Sequence, residues 1–96
     1  MKKDETIRTL LERLELARRG WQVVDHWEAD RQAIGIATKR DRRHLVYVST
    51  YSRAPGRFYY ECETPSGRDE TAYATTAAGE DVDYDTLVKA LEAHLG

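Results

Sequence analysis

The chain has 96 residues, of which 41% are apolar and 33% are charged, and its formal net charge is −2. This length fits one domain, and the composition is typical of a folded soluble domain rather than a disordered tail. No apolar run is long enough to cross a bilayer, and no signal-peptide pattern opens the chain. Because the lone Cys62 excludes an intramolecular disulfide, we expect a cytoplasmic protein.

Charge is distributed unevenly along the chain. Residues 1–57 contain 13 Lys/Arg and 8 Asp/Glu, a net charge of +5, whereas residues 58–96 contain 2 and 9, a net charge of −7. Either the two parts neutralise each other in the fold, or one of them forms a charged interaction surface. The sequence leaves both interpretations open.

Amphipathic patterns predict a helix at each end of the chain. The apolar face of the first helix consists of Ile7, Leu10, Leu11, Leu14 and Ala17. Asp4 or Thr6 is its expected N-cap, and Gly20 is the glycine expected just after its end. The second helix follows Asp83 as its N-cap, and its apolar face consists of Tyr84, Leu87, Val88, Leu91 and Leu95.

Between the helices, runs rich in β-branched and aromatic residues predict four strands. They are Trp21–Glu28, Ala33–Thr38, His44–Ser52 and Phe58–Thr64. Turn-forming segments lie at residues 29–32, 39–42 and 54–57, and such short links favour an antiparallel meander. A fifth run, Glu70–Thr76, is poorer in large apolar residues and is predicted as an edge strand, followed by a loop at residues 79–81.

Together these elements predict one α+β domain covering residues 1–96. It consists of an antiparallel meander sheet of four or five strands with the N- and C-terminal helices packed on one face, in the order α-β-β-β-β-(β)-α. Each helix carries an apolar stripe, and the sheet is the surface available to cover both stripes.

Pairing the strands about their turns predicts which side chains share a face. The second turn pairs Ile36 with Leu45, and the third turn pairs Tyr51 with Tyr60. The face beneath the helices then holds Ile34, Ile36, Leu45, Tyr47, Tyr51, Phe58, Tyr60 and Cys62.

The orientation of the first strand is less regular. Its larger and more apolar set, which we assign inward, is Trp21, Val23, Asp25 and Trp27. A carboxylate near the core is costly without a partner. We therefore expect either that Asp25 lies at the edge beside a cation such as an arginine, or that the register of this strand differs.

The opposite face of the sheet is predicted to remain open. Its side chains are small, mixed and partly acidic: Ala33, Gly35, Ala37, Val46, Val48, Thr50, Tyr59, Glu61 and Glu63. In this register Gly35 and Ala37, opposite Val46 and Val48, leave a shallow apolar strip. The rim of the strip consists of Tyr59, Glu61 and Glu63. Such a strip can dock a partner protein or a second copy of the chain, and the alternative is a plain solvated face.

A basic turn indicates a second kind of partner. It carries Lys39, Arg40, Arg42 and Arg43, and tyrosines interleave along the neighbouring strands. Basic charge combined with stacking rings is typical of single-stranded nucleic-acid binding. The isoelectric point near 5.9 argues against a nucleic-acid binder, so binding through Arg40, Arg42 and Arg43 is the alternative function.

No stretch of the chain has the spacing of a catalytic or metal-binding motif. HExxH, CxxC, GxGxxG, P-loop and GxSxG patterns do not occur. A small enzyme or metal site at Asp25, His26 and Glu61 is a third hypothesis, and it requires the three groups to converge on one ligand position. Cys62, on the predicted core face, is expected to act as a small hydrophobe. We therefore expect no catalytic residue, no metal and no cofactor.

The sequence thus predicts a small non-enzymatic protein-binding module of the inhibitor, adaptor or immunity type. The expected partner is another protein, such as a toxin or enzyme that it inhibits, and an open strand edge is compatible with a homodimer. No membrane partner is expected. Recognition would combine electrostatic steering with docking of the open sheet face. The residues predicted to bind are Tyr59, Glu61, Glu63, Val46, Val48, Arg40, Arg42 and Arg43.

Overall fold

A computed structural model describes residues 2–67 and 72–96 of the chain. Five strands form one antiparallel sheet in the order β1-β2-β3-β4-β5. The strands are β1 (Trp21–Val24), β2 (Ala33–Thr38), β3 (Leu45–Ser49), β4 (Phe58–Pro65) and β5 (Tyr73–Val82). The helices are α1 (Glu5–Leu14), α2 (Leu16–Arg19) and α3 (Tyr84–Leu95). The predicted α+β meander is confirmed.

Helices α1 and α3 share one core with the sheet, on one of its faces. The buried members of this helix-side core are Ile7, Leu10, Leu14, Trp21, Ile34, Ile36, Val46, Val48, Phe58, Cys62, Leu87, Leu91 and Leu95. A second, smaller buried cluster lies on the opposite face and consists of Val24, Ala37 and Leu45. In the described part of the chain, no helix has the length and hydropathy needed to span a bilayer.

The N-terminal helix begins at a predicted cap, because Asp4 accepts a hydrogen bond from the backbone N–H three residues later at 3.2 Å. The glycine predicted just after the helical segment, Gly20, caps the end of α2, and its φ of 73° suits glycine. The single predicted helix is interrupted at Glu15, which is left-handed with a φ of 50°. This residue redirects the last turn, so that Leu16 packs against the core while Ala17 is exposed. The assignment of Ala17 to the apolar stripe is therefore wrong.

The C-terminal helix begins where the sequence predicted. The side chain of Asp83 accepts a hydrogen bond from the backbone N–H of Thr86 at 2.8 Å. Hydrogen bonds from the backbone and side chain of Thr86 lower the pKa of Asp83. Such a cap satisfies N–H groups that have no partner within the helix.

The register of the sheet differs from the prediction, and the difference turns β3 over. Ile36 pairs with Val46 and not with Leu45, and Tyr60 pairs with Val48 instead of a residue three positions later. Val46 and Val48 therefore face the helices and are fully buried. Leu45 lies in the cluster on the other face. The predicted register of β3 is wrong.

The error arose because both sides of β3 are apolar. One side carries Leu45 and Tyr47 and the other carries two valines, so alternation of side chains does not distinguish them. Residues 39–44 and 50–57 form the two loops, and both loops are longer than the predicted turns. Tyr51 consequently lies outside β3 and is 67% exposed, instead of facing the core.

The first strand is shorter than predicted and stops at Val24. Trp21 lies in the helix-side core, as predicted. The chain then turns, and Trp27 packs on the opposite face, so its predicted inward placement is wrong. Asp25 lies in this turn and its cationic partner is Lys3 rather than an arginine.

The last strand, β5, is an edge strand as predicted, but it occupies a different segment. The prediction covered Glu70–Thr76, whose first two residues lie outside the described residues. The strand runs through residues 79–81, so the loop predicted there is wrong. Gly79 lies beneath the ring of Tyr60, and a Cβ at this glycine would be only 2.8 Å from the Cε1 atom of that ring. This close approach explains a glycine within the strand.

Candidate functional site

An open groove lies on the helix-free face of the sheet, where the β1–β2 loop meets β3 and β4. Its volume is about 430 Å³, and it is lined by Trp27, Tyr47, Tyr59, Glu61 and Glu63. All five residues are half-buried, so each is held by neighbours and still reaches solvent. Three aromatic rings and two carboxylates therefore share one concave surface.

Trp27 reaches the groove because β2 has no side chain beneath it. A Cβ at Gly35 would lie 2.8 Å from Cζ3 of Trp27 and 2.5 Å from the backbone oxygen of Val24. Glycine within a strand often marks such a close approach. Tyr47 is the cross-strand partner of Gly35, so the indole lies beside the Tyr47 ring.

The loop that carries Trp27 is fixed by a buried lysine. The Nζ of Lys3 donates to the backbone oxygens of Trp27 at 2.8 Å and Asp30 at 2.7 Å, and it lies 3.0 Å from Oδ1 of Asp25. The Lys3 side chain is fully buried. Its three N–H donors are therefore matched by three acceptors, as burial of a charge requires. The N-terminal segment thus positions one wall of the groove.

The rings of the groove meet at steep angles. The centroids of Trp27 and Tyr47 are 4.9 Å apart with an interplanar angle of 61°, and those of Tyr47 and Tyr59 are 6.1 Å apart with an angle of 75°. Edge-to-face contacts of this kind are favoured over flat stacking. Because the rings are tilted, they form the walls of a corner.

The two carboxylates of the groove are held by hydroxyl groups. The phenol of Tyr59 donates to Glu61, and Oγ1 of Thr75 lies 3.1 and 3.0 Å from the two carboxylate oxygens of Glu63. The bond to Glu61 raises the pKa of Tyr59 to about 12, since the protonated phenol is the donor. Burial raises the pKa of Glu63, and the neighbouring Glu61 adds to the rise. The causes of the rise include a side-chain hydrogen bond with Glu61, so the two carboxyl groups lie in contact.

The ion pairs between described residues do not include these two carboxylates. Those pairs are Lys3–Asp25, Arg18–Glu15, Arg19–Glu92 and Arg57–Asp81. The last two join the basic and acidic parts of the chain, so neutralisation within the fold does occur. It does not extend to Glu61 and Glu63, which have no Lys, Arg or His nitrogen of the described residues within 4.0 Å. Among the described residues, the negative charge of the groove is therefore not offset by an ion pair to either carboxylate.

Sequence reasoning identified three of the five groove residues. Tyr59, Glu61 and Glu63 lie on the open face as predicted. Val46 and Val48 do not, because β3 is turned over and both valines are fully buried beneath the helices. The two valines that were predicted to dock a partner protein or a second copy of the chain are therefore not on the open face.

The two missed residues, Trp27 and Tyr47, were both assigned to the helix side. One signal in the sequence could have corrected them. Gly35 interrupts a strand of apolar residues between two isoleucines, and such a glycine indicates that another group packs on the strand there. A large ring from a neighbouring segment is the natural occupant.

The exposed start of the basic loop lies apart from the groove. Lys39, Arg40 and Arg42 are exposed, and the first two line a separate cavity of about 640 Å³. Arg43 is half-buried, and its guanidinium lies 5.8 Å from the ring centroid of Tyr73. Among the described residues, this is the contact that joins a cation of the loop to a tyrosine ring. The structure therefore does not bring the three predicted arginines together with a row of stacking rings.

The three groups of the enzyme or metal hypothesis have other surroundings. Asp25 forms the ion pair with Lys3, Glu61 is engaged by a tyrosine, and His26 is exposed. Within residues 2–67 and 72–96, no three His, Cys, Asp or Glu side chains form a group that could hold a metal ion. Cys62 is buried in the helix-side core, and burial raises the pKa of its thiol.

Two histidines stack where the end of α3 meets the sheet. The rings of His44 and His94 are 3.9 Å apart with an interplanar angle of 15°. The Nε2 of His44 donates to the backbone oxygen of His94 at 2.6 Å, and the Nε2 of His94 donates to the backbone oxygen of Glu63 at 2.9 Å. Burial lowers the pKa of His94, and the adjacent His44 contributes to the lowering. These contacts attach the end of the helix to β3 and β4.

Comparisons with known proteins found no match: no family model, no curated protein and no solved structure resembles the chain closely enough to count. Inference about function therefore depends on the chemistry of the groove and its surroundings.

Proposed function

We propose that this protein is a non-enzymatic binding module that docks a basic segment of a partner protein on its open sheet face. The observation that carries the proposal is the groove itself. Tyr59, Glu61 and Glu63 combine negative charge with aromatic surface, and Trp27 and Tyr47 extend that surface across two further elements. Aromatic residues are enriched in protein interfaces, and complementary charge steers the encounter.

The proposed partner carries lysine or arginine on an extended segment or loop. Glu61 and Glu63 are two positions apart on β4, so their side chains lie on one face of the sheet. A partner with cations at the same spacing can meet both carboxylates. A toxin or an enzyme with a cationic surface is such a partner, and this module would inhibit it by covering that surface. We place this interaction in the cytoplasm, since the chain relies on no disulfide.

The acidic groove also bears on the nucleic-acid alternative. Phosphate groups would be repelled by Glu61 and Glu63, so the face with the aromatic rings disfavours nucleic acid. Lys39 and Arg40 of the basic loop line a separate cavity. A protein ligand therefore fits the groove better than a nucleic acid does.

The experiment measures binding of a fluorescent ten-residue peptide of alternating lysine and serine by anisotropy. We expect the wild-type protein to bind it at low salt and the Glu61→Lys variant to bind roughly tenfold more weakly. The matched control is Glu12→Lys, which changes the net charge equally but lies exposed on α1, across the sheet from the groove. We expect Glu12→Lys to bind like the wild type.

Two results would count against the proposal. Equal weakening by both charge reversals would mean that the peptide responds only to net charge. Tighter binding of an all-thymidine decanucleotide than of the peptide, with a steep dependence on salt, would favour the nucleic-acid alternative.

A further inference from the structure

The groove on the open face has the features of a site for a single organic cation. We propose that the group it holds is the ammonium of a lysine side chain of the partner. This inference rests on the proposed function and narrows it from a charged surface to one chemical group. It depends on the arrangement of the rings, on the carboxylates and on the way both are held.

The aromatic rings of the groove favour a cation. An aromatic face carries a negative quadrupole that attracts an ammonium, most strongly for tryptophan. Trp27, Tyr47 and Tyr59 line the same groove with successive tilts of 61° and 75°. Because the Arg53 guanidinium already lies 5.9 Å from the ring centroid of Tyr59, a compact cation in this corner would contact the rings of Trp27 and Tyr47, and the alkyl chain behind it can lie along their apolar surface.

The carboxylates of the groove favour lysine over arginine. Arginine binds best to a carboxylate that offers two free oxygens to its planar fork. Glu61 already accepts from the Tyr59 phenol, and both oxygens of Glu63 lie within 3.1 Å of the Thr75 hydroxyl. Each N–H of an ammonium donates to one oxygen, so the ammonium can bind a single carboxylate oxygen of either Glu61 or Glu63.

The site is formed before a ligand arrives. Lys3 holds the backbone of the Trp27 loop, and the bare backbone at Gly35 leaves space for the indole. The phenol of Tyr59 is tied to Glu61. A preformed site loses less conformational freedom on binding, which a single weak cation contact requires.

The test is an NMR titration of the ¹⁵N-labelled full-length protein with n-butylammonium chloride, at constant ionic strength set with sodium chloride. Each of the two tryptophans has its own indole N–H signal. We expect that of Trp27 to shift and saturate. We expect that of Trp21 to stay in place, since this indole is buried and donates to the backbone oxygen of Gly96 at 3.2 Å.

Three variants and two further probes sharpen the result. Glu61→Gln removes charge and Tyr47→Leu removes a ring, and we expect each to weaken butylammonium binding about fivefold. Glu12→Lys is the control variant, and we expect its titration to match the wild type. Tetramethylammonium should shift the same signals, because ring faces attract any compact ammonium, whereas n-butylguanidinium should bind more weakly.

The outcomes separate this inference from the proposed function. If butylammonium and sodium affect Trp27 equally while the lysine–serine peptide still depends on Glu61, the ammonium site is refuted and the docking face stands. If n-butylguanidinium binds more tightly, the ligand is arginine and the lysine assignment is wrong. If neither the peptide nor the ammonium responds to Glu61, both proposals fall.

Discussion

At the scale of single residues, Gly35 is the position that leaves space for Trp27 on the sheet. Its missing side chain lets an indole lie on the strand, and the indole then forms one wall of the groove. The same residue brings the Val24 backbone close to β2. The middle of a strand usually holds a β-branched residue. Here glycine leaves the space that the indole needs.

Replacing this glycine should therefore be costly. In Gly35→Ala the new Cβ would lie 2.5 Å from the Val24 backbone oxygen, which cannot rotate away. We expect a loss of about 1–3 kcal/mol in the free energy of unfolding, measured by urea denaturation. Gly79→Ala is the comparison, since its nearest contact is the ring of Tyr60, a side chain that can shift. A smaller loss for Gly35→Ala than for Gly79→Ala would contradict this account.

At the scale of elements, the loop between β1 and β2 is the part of the site that depends most on distant residues. Its shape is set by Lys3, which is more than 20 positions away in sequence. A buried ammonium is tolerated here because three oxygen acceptors converge on it. The N-terminal segment, which precedes the first helix, is therefore part of the framework of the groove.

Removing this ammonium should loosen the loop. In Lys3→Met the apolar stem is kept, but the backbone oxygens of Trp27 and Asp30 and the carboxylate of Asp25 lose their partner. We expect the free energy of unfolding to fall by about 1–3 kcal/mol. Acrylamide quenching of tryptophan fluorescence should increase, because Trp27 becomes more accessible.

The neighbouring lysine offers a matched control for that variant. Lys2 is exposed, so Lys2→Met changes the net charge in the same way without removing a buried donor. We expect Lys2→Met to behave like the wild type in both measurements. Equal effects of the two substitutions would show that the buried contacts of Lys3 do not fix the loop.

At the scale of the whole molecule, both terminal helices cover one face of the sheet, and the other face carries the smaller buried cluster and the groove. The free edge of β5 is poorly suited to pair with a strand of another molecule. Its register against β4 shifts twice, and Glu80 and Asp81 follow its uncharged part. The end of α3 contacts the sheet through the stacked rings of His44 and His94. This contact links global stability to pH.

The direction of that pH dependence follows from the lowered pKa of His94. The unfolded state takes up a proton near pH 6.5, whereas the folded state resists protonation because the ring is buried beside His44. Stability is therefore fully present above about pH 6.5 and is lost as the pH falls through the lower folded pKa. We expect urea unfolding at pH 5.5 to give a lower free energy than at pH 7.5.

The variant His94→Gln tests this assignment. Glutamine keeps an N–H donor for the Glu63 backbone oxygen but does not titrate, so the difference in stability between the two pH values should shrink. Comparing variant and wild type at each pH removes the contribution of the carboxylates common to both. An unchanged pH dependence in the variant would mean that another group is responsible.

The sequence by itself determined the features that depend on local chemistry. The caps at Asp4 and Asp83 and the glycine at Gly20 are each set by groups within a few residues. The meander followed from short connections, and the stripes of the terminal helices required one covered face. Three groove residues on β4 could also be predicted, since alternation along that strand was clear.

Tertiary structure alone decided which side of β3 faces the helices, and with it the composition of the open face. Both sides of this strand are apolar, so the alternation of side chains along the sequence does not show which side is buried. The loop position of Trp27 depended on a bare backbone at Gly35 and on an ammonium from Lys3. These contacts join residues far apart in the chain, and no local pattern encodes them.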